Sequence, residues 1–76
     1  MTNEEIIAVI ETLSKDERNF LIDFGDESVL RKLLSSLEIK YCNKLVKKGV
    51  MEKGMFDGQG RSSVVYYVDL FVRRRL

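Results

Sequence analysis

Residues 35–72, SSLEIKYCNKLVKKGVMEKGMFDGQGRSSVVYYVDLFV, decide the fold, because a helical pattern there gives way to a strand pattern at one glycine. Before Gly49, apolar residues recur as on one face of an α-helix. After it, residues 50–56 and 62–72 are rich in valine, tyrosine and phenylalanine, as strands are. Asp57-Gly58-Gln59-Gly60 lies between these runs and suits a turn. The stretch therefore predicts a helix and then a β-hairpin.

The first half of the chain predicts three further helices, at residues 3–13, 15–24 and 27–34, ahead of the helix at 36–48. Asn3 is the expected cap of the first helix. Ser14 and Glu17 have the spacing of a capping box, which starts the second. Gly25 suits the end of that helix, and Asp26 is the expected cap of the third.

The joint at Ser35-Ser36 allows two interpretations. Ser35 and Glu38 have capping-box spacing, which predicts that one helix ends there and another begins at Ser36. The apolar stripe also permits one unbroken helix over residues 27–48, formed by Leu30, Leu34, Leu37, Tyr41 and Leu45. We expect the break, because serine is more common at helix boundaries than in helix interiors.

The order of these elements predicts one small α+β domain over residues 1–76, with three or four helices followed by a hairpin. In the second strand one face is expected to pack on the helices, namely Val64, Tyr66, Val68, Leu70 and Val72. The opposite face would then present Val65, Tyr67 and Phe71 as an apolar outer row.

Catalysis and metal binding find little support in the composition. The chain has one cysteine and no histidine, which excludes an intrachain disulfide, a Cys/His zinc site and a histidine base. Gly49 and Gly54 have phosphate-loop spacing but lack the following lysine and hydroxyl residues. We expect no catalytic residue, cofactor, metal or small-molecule substrate. With no signal-like start and no apolar run of about 20 residues, the expected location is cytoplasmic and no membrane contact is predicted.

Charge is divided between the two halves of the chain. Residues 1–30 carry eight acidic and two basic side chains, whereas residues 31–76 carry eleven basic and four acidic ones. Such a division would orient the protein on a polyanion, although small domains also segregate charge by chance.

The helix at 36–48 has a polar strip opposite its apolar face. Its members are Ser36, Lys40, Asn43, Lys44 and Lys47, which lie on one side of a helical cylinder. Lysine can meet phosphate or guanine in a major groove, and asparagine can pair with adenine through both ends of its amide. The strip is equally compatible with an ordinary solvated helix face.

Residues 45–53 and 57–68 resemble the winged helix-turn-helix family of DNA-binding regulators. Leu45 to Lys53 look like the end of a recognition helix, its glycine and the first wing strand, and Asp57 to Arg61 look like the wing turn. The resemblance implies a small transcriptional regulator that binds duplex DNA. It implies base-facing roles for Ser36, Lys40, Asn43 and Lys44, and wing roles for Lys53, Gln59 and Arg61.

The alternative function is a protein-interaction module on the same scaffold, without DNA binding. The expected outer row of Val65, Tyr67 and Phe71 is a sizeable apolar surface to leave in water. It would dock on a second copy of the chain or on a larger partner, with the acidic first helices contributing charge.

Overall fold

The structure, a computed structural model, describes residues 2–58 and 61–76 as an α+β fold with four α-helices and a three-stranded antiparallel sheet. The helices are α1 (Asn3–Thr12), α2 (Lys15–Phe24), α3 (Ser36–Lys48) and α4 (Leu70–Arg73). The strands are β1 (Val29–Leu30), β2 (Glu52–Gly58) and β3 (Arg61–Tyr67), and a 3-10 turn occupies Arg31–Leu33.

Capping boxes start the three long helices. The Ser14–Glu17 and Ser35–Glu38 boxes are both confirmed, because each serine hydroxyl accepts from the glutamate amide and each carboxylate accepts from the serine amide. Ser35 is extended, with φ −71° and ψ 164°, so the chain breaks there and no helix spans residues 27–48. At α1 the cap is Thr2, paired with Glu5, so the expected Asn3 cap is wrong by one residue.

The helix predicted at 27–34 is wrong. Val29 and Leu30 instead pair with Tyr66 and Val65 of β3, and the chain then makes only the 3-10 turn. Asp26 consequently caps no helix; its carboxylate lies 3.4 Å from the guanidinium of Arg73. A β-branched residue beside an open strand edge gains a sheet partner that local periodicity does not reveal.

The strand predicted at 62–72 ends early, at Tyr67. The carboxylate of Asp69 accepts a hydrogen bond from the amide of Phe71 at 3.1 Å and thereby caps α4. Phe71 and Val72 therefore belong to a short helix, in which Val72 is buried and Phe71 is half-buried. A carboxylate at the N-cap accepts hydrogen bonds from the first amides of a helix, whereas in a strand these amides would need carbonyl groups of an adjacent strand.

The expected outer row of Val65, Tyr67 and Phe71 does not exist as one strand face. Val65 is buried, Tyr67 is exposed, and Phe71 lies on α4 beneath the guanidinium of Arg75, 3.7 Å from its ring centroid. Leu70, expected inside, is exposed.

The core lies between the helices and the inner face of the sheet. Its largest fully buried side chains are Tyr66, Leu21, Leu45, Met51, Val50 and Cys42. Tyr66, Val68 and Val72 are buried as predicted, whereas Leu37 is 66% exposed. Among the described residues, no helix has the length and apolar character needed to cross a membrane.

Candidate nucleic-acid interface

The polar strip of α3 is exposed along the helix. Ser36, Lys40, Asn43, Lys44 and Lys47 are all exposed, while Cys42 and Leu45 on the opposite side are fully buried. The helix has 13 residues and is about 20 Å long, and its lysines occupy about two turns of its carboxyl-terminal part. Within residues 2–58 and 61–76, neither Lys40 nor Lys47 forms an ion pair. Both ammonium groups are accordingly available to an external anion.

Lys44 and Lys48 are anchored to α2 through one carboxylate. The Oε2 atom of Glu17 lies 2.7 Å from Nζ of Lys48 and 3.5 Å from Nζ of Lys44. Glu17 is only 4% exposed, whereas the Lys44 side chain is 60% exposed. The charge of Lys44 is therefore partly neutralised within the chain, so Lys44 is a weaker candidate for contacting DNA than Lys40 or Lys47.

Glu17 is held as a carboxylate by these contacts. The hydrogen bond from Lys48, together with that from the Ser14 amide, lowers its pKa from 4.5 to about 2. The same side chain completes the capping box of α2, so it joins the start of α2 to the last turn of α3. The orientation of the lysine strip thus depends on a residue outside it.

The amide oxygen of Asn43, which the sequence predicts as an acceptor for adenine, already accepts a hydrogen bond within the chain. The hydroxyl of Tyr66 donates a 2.6 Å hydrogen bond to Oδ1 of Asn43. Pairing with adenine through both ends of the amide uses the oxygen as acceptor and the NH₂ as donor. Because Tyr66 already holds the oxygen, the NH₂ group is the part of Asn43 best placed to contact a base or phosphate.

Replacing Tyr66 by phenylalanine is expected to lower the free energy of unfolding by about 1 kcal/mol. The substitution removes only the donor, and Asn43 is exposed enough for water to replace it. Urea unfolding of Tyr66→Phe beside wild type measures the loss. An unchanged midpoint would mean that the hydrogen bond contributes nothing to stability.

A shallow groove of about 240 Å³ runs beside the strip and is lined by Leu37, Lys40, Tyr41 and Lys44. The Tyr41 ring stacks on Phe20 of α2, with centroids 5.2 Å apart and planes at 19°, which fixes one wall of the groove. Leu37 was expected in the core because it shares a stripe with Tyr41 and Leu45. It sits in the first turn of α3 and is 66% exposed, although its helical spacing matches that of the buried Leu45.

Basic residues outside α3 are placed unequally. Arg31 and Lys32 are exposed on the 3-10 turn just before α3. Lys53 is exposed on β2 and is paired in register with Tyr66, so it lies on the sheet face that packs on α3. Gln59 and the side chain of Arg61 lie outside the described residues. Lys53 is therefore the expected wing residue whose position the structure describes, and it lies on the side of the sheet where α3 lies.

Cys42 has the properties of a core residue. It is fully buried, and burial raises its thiol pKa to about 11 with a further contribution from Glu38. A thiol with so little thiolate at neutral pH is a poor nucleophile and a poor metal ligand. In the part of the chain that the structure describes, no three acidic or cysteine side chains gather in a way that could hold a metal ion.

Comparison of the chain with protein-family models, with curated proteins and with solved structures finds no match.

Proposed function

We propose that this protein binds duplex DNA through α3 and the β2–β3 hairpin, as a small transcriptional regulator of the winged helix-turn-helix kind. The observation that carries the proposal is the exposed strip of α3, in which Lys40 and Lys47 have no internal counter-ion among the described residues. A side-chain-clad helix fits a B-DNA major groove, which is about 12 Å wide.

The element order supports the proposal. The winged-helix resemblance requires a recognition helix followed at once by a two-stranded wing, and α3 is joined to β2 by only three residues, Gly49, Val50 and Met51. Gly49 ends the helix in the left-handed conformation, with φ 90° and ψ 9°.

One part of the motif is reduced. The position of the helix before the recognition helix is taken by the 3-10 turn, Arg31–Leu33, which bears two cationic side chains ahead of α3. In helix-turn-helix proteins the first helix crosses the DNA backbone. We propose that Arg31 and Lys32 make the corresponding phosphate contacts.

The roles within the site follow from exposure and internal contacts. Lys40 and Lys47 contact phosphate or guanine, and Ser36 and the NH₂ group of Asn43 add polar contacts to bases or backbone. Lys44 contributes less, because Glu17 lies 3.5 Å from its ammonium group. Lys53 extends the cationic surface onto the hairpin, and Gln59 and Arg61 are proposed as wing contacts on the strength of the resemblance alone.

Salt dependence tests the function as a whole. Binding to a fluorescein-labelled random-sequence duplex, followed by anisotropy from about 50 to 200 mM salt, is expected to weaken about 10²- to 10⁴-fold for some four to eight phosphate contacts, because each neutralised phosphate releases counter-ions. Absence of binding at the lowest salt would refute the proposal. Binding that is insensitive to salt would refute the electrostatic mechanism.

A further inference from the structure

The outer edge of β2 is open in the described sheet. The strand order is β1-β3-β2, so β2 pairs with β3 on one side and with no described strand on the other. It is seven residues long, Glu52–Gly58, whereas β1 at the opposite edge has two. An edge of this length presents a row of main-chain donors and acceptors that another strand can use. β2 is thus the strand of this sheet best suited to pairing with another chain.

This edge strand carries two large apolar side chains at consecutive positions. Met55 is 63% exposed and Phe56 is 57% exposed. Consecutive strand residues point to opposite faces, so one lies on each face of the hairpin. Water therefore meets apolar surface on both sides of the open edge, which is the pattern expected of a strand that another strand extends.

We propose that β2 pairs with β2 of a second copy of this chain, antiparallel, about a two-fold axis that passes through Met55. This register sets each Met55 beside its counterpart and each Lys53 opposite Asp57 of the other copy, on the same face. On the other face it sets Phe56 opposite Gly54. The pairing joins the two sheets into one of six strands and covers Met55 and Phe56 together.

Gly54 supports this register. A Cβ at this position would meet Cε1 of Tyr67 at 3.6 Å and Cγ2 of Val65 at 3.7 Å, which are ordinary contact distances. The positive-φ glycines of the described chain are Gly25 and Gly49, so the conformation of Gly54 suits any residue. The chain itself thus does not require glycine there. In the dimer, its missing side chain leaves room for the Phe56 ring of the second copy beside Tyr67.

Neighbouring registers are less favourable. An axis through Gly54 would place Lys53 opposite Met55 and Glu52 opposite Phe56, pairing each charge with an apolar side chain. An axis through Lys53 would place two ammonium groups side by side, and like charges directly opposite each other destabilise a strand pair. Of these three registers, the Met55 axis is the one that sets opposite charges across from each other and pairs Met55 with Met55.

Dimerisation in this way leaves the lysine strip of the DNA-binding proposal uncovered. It uses β2, whereas the lysine strip lies on α3, so Lys40 and Lys47 stay exposed in the dimer as they are in one chain. Lys53 is used by both proposals, as a phosphate contact on the hairpin in one and as the residue opposite Asp57 in the other. The two proposals still have separate tests, because the mass of the chain in sedimentation and its affinity for DNA are measured independently.

Sedimentation equilibrium of the full chain tests the dimer. We expect the weight-average mass to rise from the 8.8 kDa of one chain towards twice that value as concentration increases. Met55→Glu, which sets two carboxylates at the axis, should raise the dissociation constant at least tenfold. Leu70→Glu is the matched control, because Leu70 is 58% exposed on α4 and is not part of β2, so this change should leave the mass profile unaltered.

Two further measurements decide the register. Gly54→Val, a β-branched replacement of the kind that strands favour and whose Cβ meets only ordinary contacts in one chain, should also raise the dissociation constant at least tenfold while far-ultraviolet circular dichroism stays unchanged. In a mixture of labelled and unlabelled wild-type chains, an intermolecular NOE should join the two Met55 methyl groups.

A monomer up to millimolar concentration, or a dimer that Met55→Glu and Leu70→Glu affect equally, would overturn the proposal. A dimer without the Met55 NOE would overturn the register.

Discussion

The double variant Lys40→Ala/Lys47→Ala is expected to bind duplex DNA about 10- to 100-fold more weakly than wild type. These two lysines project from the exposed side of α3 and, among the described residues, have no carboxylate partner, so their removal deletes charge from the surface without exposing an unpaired acid. The slope of log affinity against log salt should fall in magnitude by about 2, one for each lost phosphate contact.

Lys15→Ala is the matched control for this pair. Lys15 is exposed in the first turn of α2, in the acidic half of the chain, and its loss changes net charge by one without touching α3. Lys44 is unsuitable as a first target, because its contact with Glu17 mixes stability with binding. Fluorescence anisotropy at two salt concentrations, with thermal unfolding as a check on folding, gives the comparison. Equal affinity of the double variant and Lys15→Ala would contradict a role for α3 in binding.

Glu17→Ala is expected to lower the free energy of unfolding by about 2 kcal/mol. Loss of the capping box accounts for about 1 kcal/mol. The remainder comes from Lys48, whose ammonium loses its 2.7 Å partner; because the Lys48 side chain is 37% exposed, water compensates it in part and the cost stays below that of a fully buried pair. Urea unfolding measures the change. Asp16→Ala, an exposed neighbour on the same turn, is the control and should cost less than half as much.

The contribution of the Glu17 carboxylate should also be visible in the pH dependence of the free energy of unfolding. The pKa of Glu17 is about 2 in the folded chain, below its ordinary 4.5, so folding favours the ionised form. Its contribution is therefore complete above about pH 4.5 and is lost as pH falls towards 2. The full shift corresponds to about 3 kcal/mol, which solvent screening of Lys48 reduces to about 1 to 2 kcal/mol.

Glu17→Gln isolates this linkage. Between pH 4.5 and 2 the variant should lose less stability than wild type, by about the amount that Glu17 contributes, while the two curves run parallel above pH 5. Urea midpoints at half-unit intervals of pH supply the data. Parallel curves throughout the acid range would show that the carboxylate is not preferentially ionised in the folded state.

The starts of α2 and α3 and the end of α3 were predictable because their causes are local. A capping box needs a hydroxyl and a carboxylate three residues apart, and both serine boxes form as the spacing predicts. Gly49 likewise ends α3 by its own backbone preference, at φ 90°. Within such short segments the sequence contains all the partners that decide the structure.

β1 and the end of β3 were not predictable in the same way. Val29 and Leu30 become a strand because Tyr66 and Val65, more than thirty residues later, offer an edge. Once β1 occupies that edge, the expected third helix has only the residues of a 3-10 turn left before Ser35. Periodicity describes one segment at a time and holds no information about which segment will lie beside it.

For the same reason, the exposure of the lysines in the candidate site could be predicted from the sequence, whereas the internal contacts of the site could not. The exposure of Lys40, Lys44 and Lys47 follows from helical geometry alone and is observed. The restraints on Asn43 and Lys44 come from Tyr66 on β3 and Glu17 on α2, which only the folded chain brings near. Sequence spacing placed the cations on one face, but tertiary contacts decide which of them remain unpaired.

The three residues between α3 and β2 control the angle between helix and hairpin. Val50 and Met51 are almost completely buried, so no flexible loop separates the two elements. Any ligand that touches both α3 and the hairpin would therefore meet surfaces of fixed relative tilt and would bind with little loss of conformational entropy. By the same reasoning, a change in side-chain volume at Val50 or Met51 would alter the angle between α3 and the hairpin. These two buried residues would therefore affect the shape of the surface that a ligand meets, although they do not touch the ligand.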